Sequence, residues 1–540
     1  MRNSTHVSKS FSTAVDVAIA HIKNCGASDL FAAQPETEKL IEHHILAKQY
    51  IKKIDDLILS NSPVCFLPTT EDLFVTAPFK FRLGAMIDPL LNLYATSVLV
   101  DLSPKIERMR IEVEKRRVFS YRVSKNIKSD WFRRDVGWTE FTSTTIKNTE
   151  KFKFVALLDI SQFYKSLSSN MVMIAFQDSR YRTEERARLS QILKYLGVDE
   201  KGLPVGGSFS RLLAEAAVCP VDTALEKQGI NFTRFVDDFR IFANDREELN
   251  RQIYSFTKVL NQHGLRPNNH KIGIMDSAQI LEDIDFQKTP LIVQKAKSEF
   301  EKPLIVRQAF DPYSELVIGK AEELKNISGS SSIAAAVSQE LEKSTPSMQG
   351  LKVLTSALMY STDEDCIEVS ALIFAEMHRT ELLILLLRLM NILRERAMQF
   401  SDEQNAFLSN SIEAGLIKHC KTLPDSAAAV LLFGLQHLKH KCTPEFVRVL
   451  EEHLRGYECS AYLSRHILFL AAQQEEKDIL MKFRKIVAMR KLIDTPNLIW
   501  LDLAMRYCRL QNNNLTKSNV KNRKNKSGHF LIHDFLFESA

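Results

Sequence analysis

Two short segments of the chain place carboxylates where a divalent cation would stabilise them. The first, FVALLDISQFY, begins as an apolar run and reaches Asp159 at the end of that run. The second, FTRFVDDFRIF, carries the adjacent Asp237 and Asp238 between two short β-prone runs. An ionised carboxylate is costly to bury unless it is paired or binds a metal, and adjacent acids repel each other. The two segments therefore predict a cation site.

A set of three such carboxylates suits nucleotidyl transfer. That reaction uses two Mg²⁺ ions, roughly 3.5–4 Å apart, to activate the attacking oxygen and to neutralise the leaving pyrophosphate. Magnesium prefers hard oxygen ligands and keeps several waters, so a few carboxylates and the substrate phosphates are sufficient. We therefore predict a Mg²⁺ site, with Mn²⁺ as an alternative, at Asp159, Asp237 and Asp238.

A further aspartate pair shows that the dipeptide alone has little weight. Asp55 and Asp56 lie in KKIDDLIL, where apolar residues recur at helical spacing and lysines are neighbours. We predict a solvated helix face there. The pair at Asp237 differs because a tight hairpin would bring both of its carboxylates to the tip.

Two more segments contain residues that suit a nucleotide site. In LPVGGSFS, the glycine pair that begins at Gly206 lets the backbone approach a ligand before a helix starts, and a generic turn with a helix cap is the alternative. In GLRPNNHK, the final Lys271 precedes a β-like run. A lysine there would be placed to protonate a leaving pyrophosphate, and a plain surface lysine is the alternative.

The elements that must position these residues indicate an α+β chain. Residues 1–110 are mostly helical in pattern, with helical apolar spacing in Glu36–Leu59 and Leu83–Ile106. Residues 111–305 mix helices with strands. There, Lys153–Ile160 is a strand candidate and Asn231–Phe242 alternates as a hairpin does.

The C-terminal part has a different texture. Residues 313–511 contain recurring amphipathic segments separated by short polar breaks, which predicts an all-α helical-repeat domain resembling a HEAT-like solenoid. An irregular helical bundle is the alternative. Residues 512–540 form a basic tail, as a disordered linker or a phosphate-contacting arm. Its apolar end, His529–Phe537, would dock onto the body or onto a neighbouring subunit.

Composition sets the broad class. The 540-residue chain is 45% hydrophobic and has a formal net charge of +6, which permits a nucleic-acid partner without requiring one. The N-terminus has no apolar signal region, and no apolar stretch is long enough to span a bilayer, so we expect a cytoplasmic protein without a membrane partner. None of the eight cysteines forms a CxxC pair, so we expect free thiols.

Four motifs stand in the order LxDIxxFY, LPxGxxxS, FVDD and a Gly-Leu…Asn…Lys segment. In this order they resemble the palm of reverse transcriptases, over residues 70–300. The resemblance implies a palm sheet flanked by fingers. It also implies that Asp159 and Asp237 are metal ligands and that Asp238 is the third catalytic acid.

The same resemblance gives roles to neighbouring residues. The backbone carbonyl of Ile160 would complete the metal shell, and Lys271 would act as a general acid. The aromatic Tyr164, which follows Phe163, would screen the 2′-hydroxyl and favour deoxynucleotides. Both aromatic residues are therefore expected at the nucleotide.

Further nucleotide contacts are expected from the loop before the long helix and from the fingers. Gly206 and Ser210 match the glycine and serine that position template and incoming nucleotide. Lys115–Arg134 mixes basic and aromatic residues, as a surface for phosphates and stacked bases does, and a solvated basic face is the alternative. We select Arg117 and Arg122 as the contacts to the triphosphate.

The chain departs from the common reverse transcriptase pattern, and these departures point to a particular subgroup. Val205 stands where many retroviral and group-II-intron enzymes have Gln, and no recognisable thumb follows the palm. A palm joined to a large helical region is similar to bacterial abortive-infection and related defence-associated reverse transcriptases. That group implies anti-phage defence, template-free DNA synthesis from a protein hydroxyl, dNTP substrates, a covalently attached single-stranded DNA product and homo-oligomers.

Two other hypotheses remain open from the sequence. One is a template-copying reverse transcriptase that uses a bound noncoding RNA. The other is an interaction protein whose helical repeats bind a partner and whose palm is inactive. The presence of all three aspartates argues against the second hypothesis.

Overall fold

The fold is described from a computed structural model of the chain. The structure describes residues 9–77, 80–124, 131–133, 135–177, 180–280, 291–293, 304–306, 332–344, 346–419, 422–456, 459–474, 476–489 and 531–539.

The N-terminal region is a group of helices that carries one β-hairpin. Its elements are α1 (Lys9–Cys25), α2 (Pro35–Glu42), α3 (His44–Leu59), β1 (Thr70–Ala77), β2 (Lys80–Met86) and α4 (Pro89–Met109). The predicted helices are confirmed, whereas the hairpin was not predicted. The helix predicted over Leu83–Ile106 begins later than expected, at Pro89. The side chain of Asp88 caps it by accepting hydrogen bonds from the N–H groups of Leu90 and Leu91.

The middle of the chain forms a four-stranded antiparallel sheet with order β4-β5-β3-β6. The strand and hairpin predicted from the sequence are both confirmed. The elements are α5 (Trp138–Thr149), β3 (Phe154–Asp159), α6 (Phe163–Ser166), α7 (Ser169–Ala175), α8 (Thr183–Leu196), α9 (Val198–Lys201), α10 (Ser208–Lys227), β4 (Phe232–Phe235), β5 (Asp238–Ala243), α11 (Arg246–Gln262) and β6 (Gly273–Asp276).

Helices cover the two faces of this sheet differently. On one face, Phe256 of α11 packs edge-on against Phe239 of β5, with ring centroids 4.9 Å apart. On the opposite face, Phe141 of α5 packs against Phe235 of β4 at 6.0 Å. Cross-strand partners in a sheet share a face, so Asp159 and its partner Asp238 lie on the face that α5 partly covers.

The structure corrects the prediction for the Asp55 pair. Asp55 is only 1% exposed, and its carboxylate accepts hydrogen bonds from Nε and Nη2 of Arg188 at 2.7 and 2.8 Å. The hydroxyl of Tyr94 also donates to it, at 2.9 Å. Only Asp56 lies on the solvated face, because α8 supplies a counter-charge that helical periodicity cannot reveal.

Beyond the sheet, a short hairpin precedes a mostly helical C-terminal region. The predicted helices are confirmed over the described residues between 332 and 489, while residues 313–331, residues 490–511 and the basic stretch 517–526 lie outside the described residues. The elements are β7 (Leu291–Val293), β8 (Leu304–Val306), α12 (Ile333–Leu341), α13 (Met348–Ala357), α14 (Asp363–Ala375), α15 (Leu383–Arg396), α16 (Asp402–His419), α17 (Asp425–His437), α18 (Pro444–Arg455), α19 (Ala461–Gln473), α20 (Lys477–Met489) and α21 (Leu531–Ser539).

The helices from α12 to α20 pack in two rows. One row runs through α12, α14, α16, α18 and α20, each in contact with the next. The other runs through α13, α15, α17 and α19 in the same way. Each helix therefore contacts the second helix after it in sequence.

The helical region contacts the N-terminal part directly. The ring of Tyr462 in α19 packs against Phe31 and Phe74, at 5.4 and 5.5 Å, and its hydroxyl donates to the carbonyl of Ala32. The last helix, α21, packs on α2, α3 and α4. The apolar end of the chain thus docks onto the body, which was one of the two predicted alternatives.

Two composition-based expectations concern the described part of the chain. No helix there combines the length and the apolar character needed to cross a bilayer. Free thiols are confirmed for Cys65, Cys219, Cys366 and Cys442.

Candidate active site

The register of two central strands brings the predicted carboxylates together. In the antiparallel pair of β3 and β5, Asp159 at the end of one strand is the direct partner of Asp238 at the start of the other. Asp237 precedes Asp238 in the turn, and its carbonyl accepts a hydrogen bond from the N–H of Ile160 at 3.3 Å. Residues far apart in sequence therefore meet at one end of the two central strands.

The turn that presents Asp237 has an unusual backbone. Phe235 and Asp238 close the hairpin, so Val236 and Asp237 are its two central residues. Val236 has φ of +57°. A positive φ at the first central residue is the pattern of a type II′ turn, which matches strand twist but normally requires glycine. A β-branched residue in this region is a genuine outlier.

Asp237 is perturbed by its surroundings. Burial, followed by the charges of Asp238 and Asp159, raises the pKa of Asp237 to about 7. Like charges at short range and poor solvation both disfavour the ionised form, and a bound cation would reverse both effects. The site therefore has the electrostatics of a cation-binding cluster.

Asp159 is held by two donors of the chain itself. Nζ of Lys271 lies 2.9 Å from Oδ1, and Nδ2 of Asn268 donates to Oδ2 at the same distance of 2.9 Å. The N–H of Asn268 also donates to the carbonyl of Asp159, at 2.7 Å. Burial alone would lower the pKa of Lys271, but its hydrogen bond with Asp159 raises it overall. The structure thus brings Lys271 to the site as predicted.

The residues fit a divalent cation in chemistry, although they are not gathered into a preformed cage. Three carboxylates supply the hard oxygen donors that Mg²⁺ prefers. Within the described residues, no group of three or more His, Cys, Asp or Glu side chains is arranged to hold a metal ion. Both oxygens of Asp159 are engaged by Lys271 and Asn268, so this carboxylate would have to exchange partners on metal binding.

A loop of the N-terminal region lies against the glycine pair. Gly206 has φ of +116°, and a Cβ atom there would lie 2.6 Å from Oγ of Ser28. The N–H of Asp29 donates to the carbonyl of Gly206 at 3.3 Å, and the N–H of Ala85 donates to that of Val205 at 3.1 Å. Only glycine permits this close approach. The loop expected to meet a ligand is therefore packed between two segments of the N-terminal region.

Tyr164 lies beside charged residues that sequence reasoning missed. Burial raises the pKa of Tyr164 well above its usual value, and the charges of Tyr121, Arg211, Asp237 and Asp29 also act on it. Arg211 forms an ion pair with Asp29 and stacks over the ring of Tyr121 at 5.0 Å. The position of Arg211, directly after the predicted Ser210, was the available signal, but Asp29 lies too far away in sequence to be found.

The remaining predicted residues are placed in different surroundings. Phe163 is buried and packs edge-on against Tyr164. Ile160 is also buried, next to Asp159. Ser210 is fully buried within α10, and among the described residues its Oγ has no hydrogen-bond partner. These positions leave the predicted ligand contacts of Ile160 and Ser210 as predictions.

The two arginines chosen for the triphosphate are engaged elsewhere. Arg122 is 1% exposed, donates to the carbonyl of Ile111 and pairs with Glu107 at 2.8 Å. Arg117 donates to the carbonyl of Ile230 at 2.7 Å. The structure does not bring either guanidinium to the carboxylates. Burial and fixed partners favour a structural role for Arg122. The side chain of Arg117 is 23% exposed, so its contact with the triphosphate stays a prediction.

Comparison with known families agrees with this geometry. Residues 98–298 match the family model described as reverse transcriptase (RNA-dependent DNA polymerase). This range includes the three aspartates, the glycine loop and Lys271. The chain therefore contains a reverse transcriptase domain, and this domain indicates an RNA-directed DNA polymerase, that is, a nucleotidyltransferase. A search of the curated proteins found no match to the chain.

Proposed function

We propose that this chain adds deoxynucleoside monophosphates to a hydroxyl group, with Asp159, Asp237 and Asp238 as ligands of two Mg²⁺ ions. The observation that carries the proposal is the pairing of Asp159 with Asp238 directly beside the turn that bears Asp237. When bound, two such ions would supply activation of the attacking oxygen and neutralisation of the leaving pyrophosphate. The raised pKa of Asp237 supports this assignment, because the cluster lacks enough positive charge of its own.

The chain's own residues would do the remaining work. Lys271, whose Nζ contacts Asp159, would give a proton to the leaving pyrophosphate. Tyr164 would exclude a 2′-hydroxyl and so select deoxynucleotides. The Asp29–Arg211 pair beside Tyr164 would set the charge that the incoming triphosphate meets.

We also propose a role in defence against phage, with synthesis that does not copy a template and starts from a side-chain hydroxyl. Two observations support this. The helices from α12 to α20 form two rows, as expected of a solenoid attached to a polymerase. Ser28 and Asp29 occupy the space in front of Gly206, where a template-copying enzyme would need room. A homo-oligomer and a covalently attached DNA product belong to the same proposal.

The test uses the full-length chain incubated with each dNTP and Mg²⁺, followed by mass spectrometry of the protein. We expect the wild type to gain multiples of a dNMP mass, and a variant with Asp237→Asn and Asp238→Asn to gain none and to lose protection in a plaque assay. Asp245→Asn is the matched control, because asparagine can still cap α11 in place of Asp245. Retained incorporation by the double variant would show that the active-site assignment is wrong.

A further inference from the structure

The hairpin that presents the catalytic aspartates is held from behind by a buried arginine. Arg234 lies in β4, and its side chain is 0% exposed. It occupies the sheet face opposite to Asp238, because alternate residues of a strand point to opposite faces. A guanidinium carries five N–H donors and no acceptor, so burying it requires a full set of acceptors.

Every one of those donors has a partner. Nε and Nη2 donate to the two carboxylate oxygens of Asp222, at 2.8 and 2.6 Å. Nη1 and Nη2 donate to the two carboxylate oxygens of Glu215, at 3.0 and 2.9 Å. The fifth bond runs from Nη1 to the carbonyl of Val236, at 2.8 Å. This arrangement fixes the guanidinium plane, because two carboxylates grip it from two sides.

The fifth bond reaches the strained residue of the turn. Val236 is buried, and its φ of +57° lies in the left-handed region that β-branched residues avoid. Such a conformation persists only where the surroundings over-determine it. The bond from Arg234 holds the carbonyl of Val236, one residue before Asp237. The strain in the turn and the buried arginine thus meet at one peptide group.

The anchors of the arginine belong to the helix that follows the glycine loop. Glu215 and Asp222 both lie on α10, which begins at Ser208 directly after Gly206 and Gly207. Glu215 is itself fixed by Ser120 and Arg110, whose side chains donate to it at 2.6 Å each. The loop on the nucleotide side and the turn on the metal side are therefore connected through one helix and one side chain.

We propose that Arg234 is a positioning residue for the polymerase reaction, which fixes the Val236 carbonyl and thereby aims the carboxylates of Asp237 and Asp238. This inference rests on the proposed function of those aspartates. Loss of the fifth bond lets the turn relax from its left-handed conformation, and the carboxylates move away from their catalytic positions. A glycine in place of Val236 adopts positive φ without strain, so it removes the need for that bond.

The experiment is a double-mutant cycle of Arg234→Lys and Val236→Gly in the full chain. We expect Arg234→Lys to lower kcat by about tenfold or more when Val236 is retained, since small misplacements of catalytic groups have large effects. In the Val236→Gly variant, we expect the same lysine change to lower kcat by less than about threefold. The Mg²⁺ concentration that gives half-maximal rate should rise with Arg234→Lys, and Mn²⁺ binding measured by electron paramagnetic resonance should weaken in parallel.

Arg188→Lys is the matched control, because Arg188 of α8 is also buried and donates two hydrogen bonds to the carboxylate of Asp55 on α3. It should leave kcat and the Mg²⁺ dependence unchanged. If circular dichroism shows that Arg234→Lys does not fold, Asp222→Asn replaces it in the same cycle, with the same expected sign. The inference alone would be overturned if Arg234→Lys lowered kcat equally with and without Val236→Gly while Asp237→Asn was inactive. An active Asp237→Asn would overturn the proposed function as well.

Discussion

Lys271 lies against Asp159, with Nζ 2.9 Å from Oδ1. The ammonium group therefore contacts the carboxylate that ends β3 and pairs across the sheet with Asp238. We expect a lysine in this position to have two uses, which are to balance the acidic cluster and to give a proton to the leaving group. The two uses can be separated by experiment.

Replacement of Lys271 separates charge from proton donation. We expect Lys271→Ala to lower kcat by about 100-fold, which is the lower end of the range for general acid catalysis. Lys271→Arg should keep the positive charge beside Asp159 but should lower kcat similarly, because a guanidinium does not release its proton. Single-turnover incorporation of a dNTP measures the rate for both variants. A wild-type rate for Lys271→Ala would exclude the general-acid role.

Tyr164 is expected to select the sugar. Replacing it with valine removes the ring that would face the 2′-position, so Tyr164→Val should incorporate NTPs while the wild type discriminates against them. The measured quantity is the ratio of kcat/KM for dGTP and GTP. Phe176→Leu serves as the control, because Phe176 is a buried aromatic residue that packs against Tyr181 and is not a predicted nucleotide contact. An unchanged ratio in Tyr164→Val would mean that another residue screens the sugar.

The ion pair between Asp29 and Arg211 is expected to tune nucleotide affinity. Asp29→Asn removes a negative charge beside Tyr164 and releases Arg211, so the KM for dNTP should fall by about fivefold, equivalent to about 1 kcal/mol. Arg211→Gln should raise the KM. The control is Asp16→Asn, which breaks an ion pair with Lys48 on the N-terminal helices. Steady-state dNTP titrations measure the KM of each variant. Equal KM values in all variants would show that the ion pair does not tune nucleotide affinity.

His466 predicts how stability depends on pH. It is 0% exposed, and burial, aided by the charges of Arg465 and His437, lowers its pKa from 6.5 to about 3. Below pH 6.5 the unfolded chain therefore binds one more proton than the folded chain, so stability falls as pH falls, by about 1.4 kcal/mol per pH unit. Its Nδ1 atom accepts a hydrogen bond from Nε2 of Gln436 at 3.1 Å, as a neutral ring does.

We expect His466→Gln to remove this part of the pH dependence. Urea unfolding at pH 7.5 and pH 5 should show a wild-type loss about 2 kcal/mol larger than that of the variant. His378→Gln is the control, because the side chain of His378 is 56% exposed and its loss should leave the difference between the two pH values as in the wild type. Equal losses for the wild type and His466→Gln would contradict the prediction.

Much of the site could be predicted from the sequence because its signals are local. The apolar run before Asp159 and the alternation around Asp237 define strands by their period, and both strands were found. The Asp55 pair could not be interpreted in the same way. Periodicity shows that a residue lies on a helix, but it does not show which distant side chain, here Arg188, faces it.

The sequence by itself determined that three aspartates stand at the ends of β-prone runs, that a glycine loop lies between them, and that a helical region follows. Only the tertiary structure decided which of the basic side chains are available at the site. It kept the predicted Lys271 on Asp159 but buried Arg122 in the body, and it paired Arg211 with Asp29 beside Tyr164. The physical reason is that strand and helix periods depend on near neighbours in the chain, whereas ion pairs and buried hydrogen bonds depend on how separate elements pack.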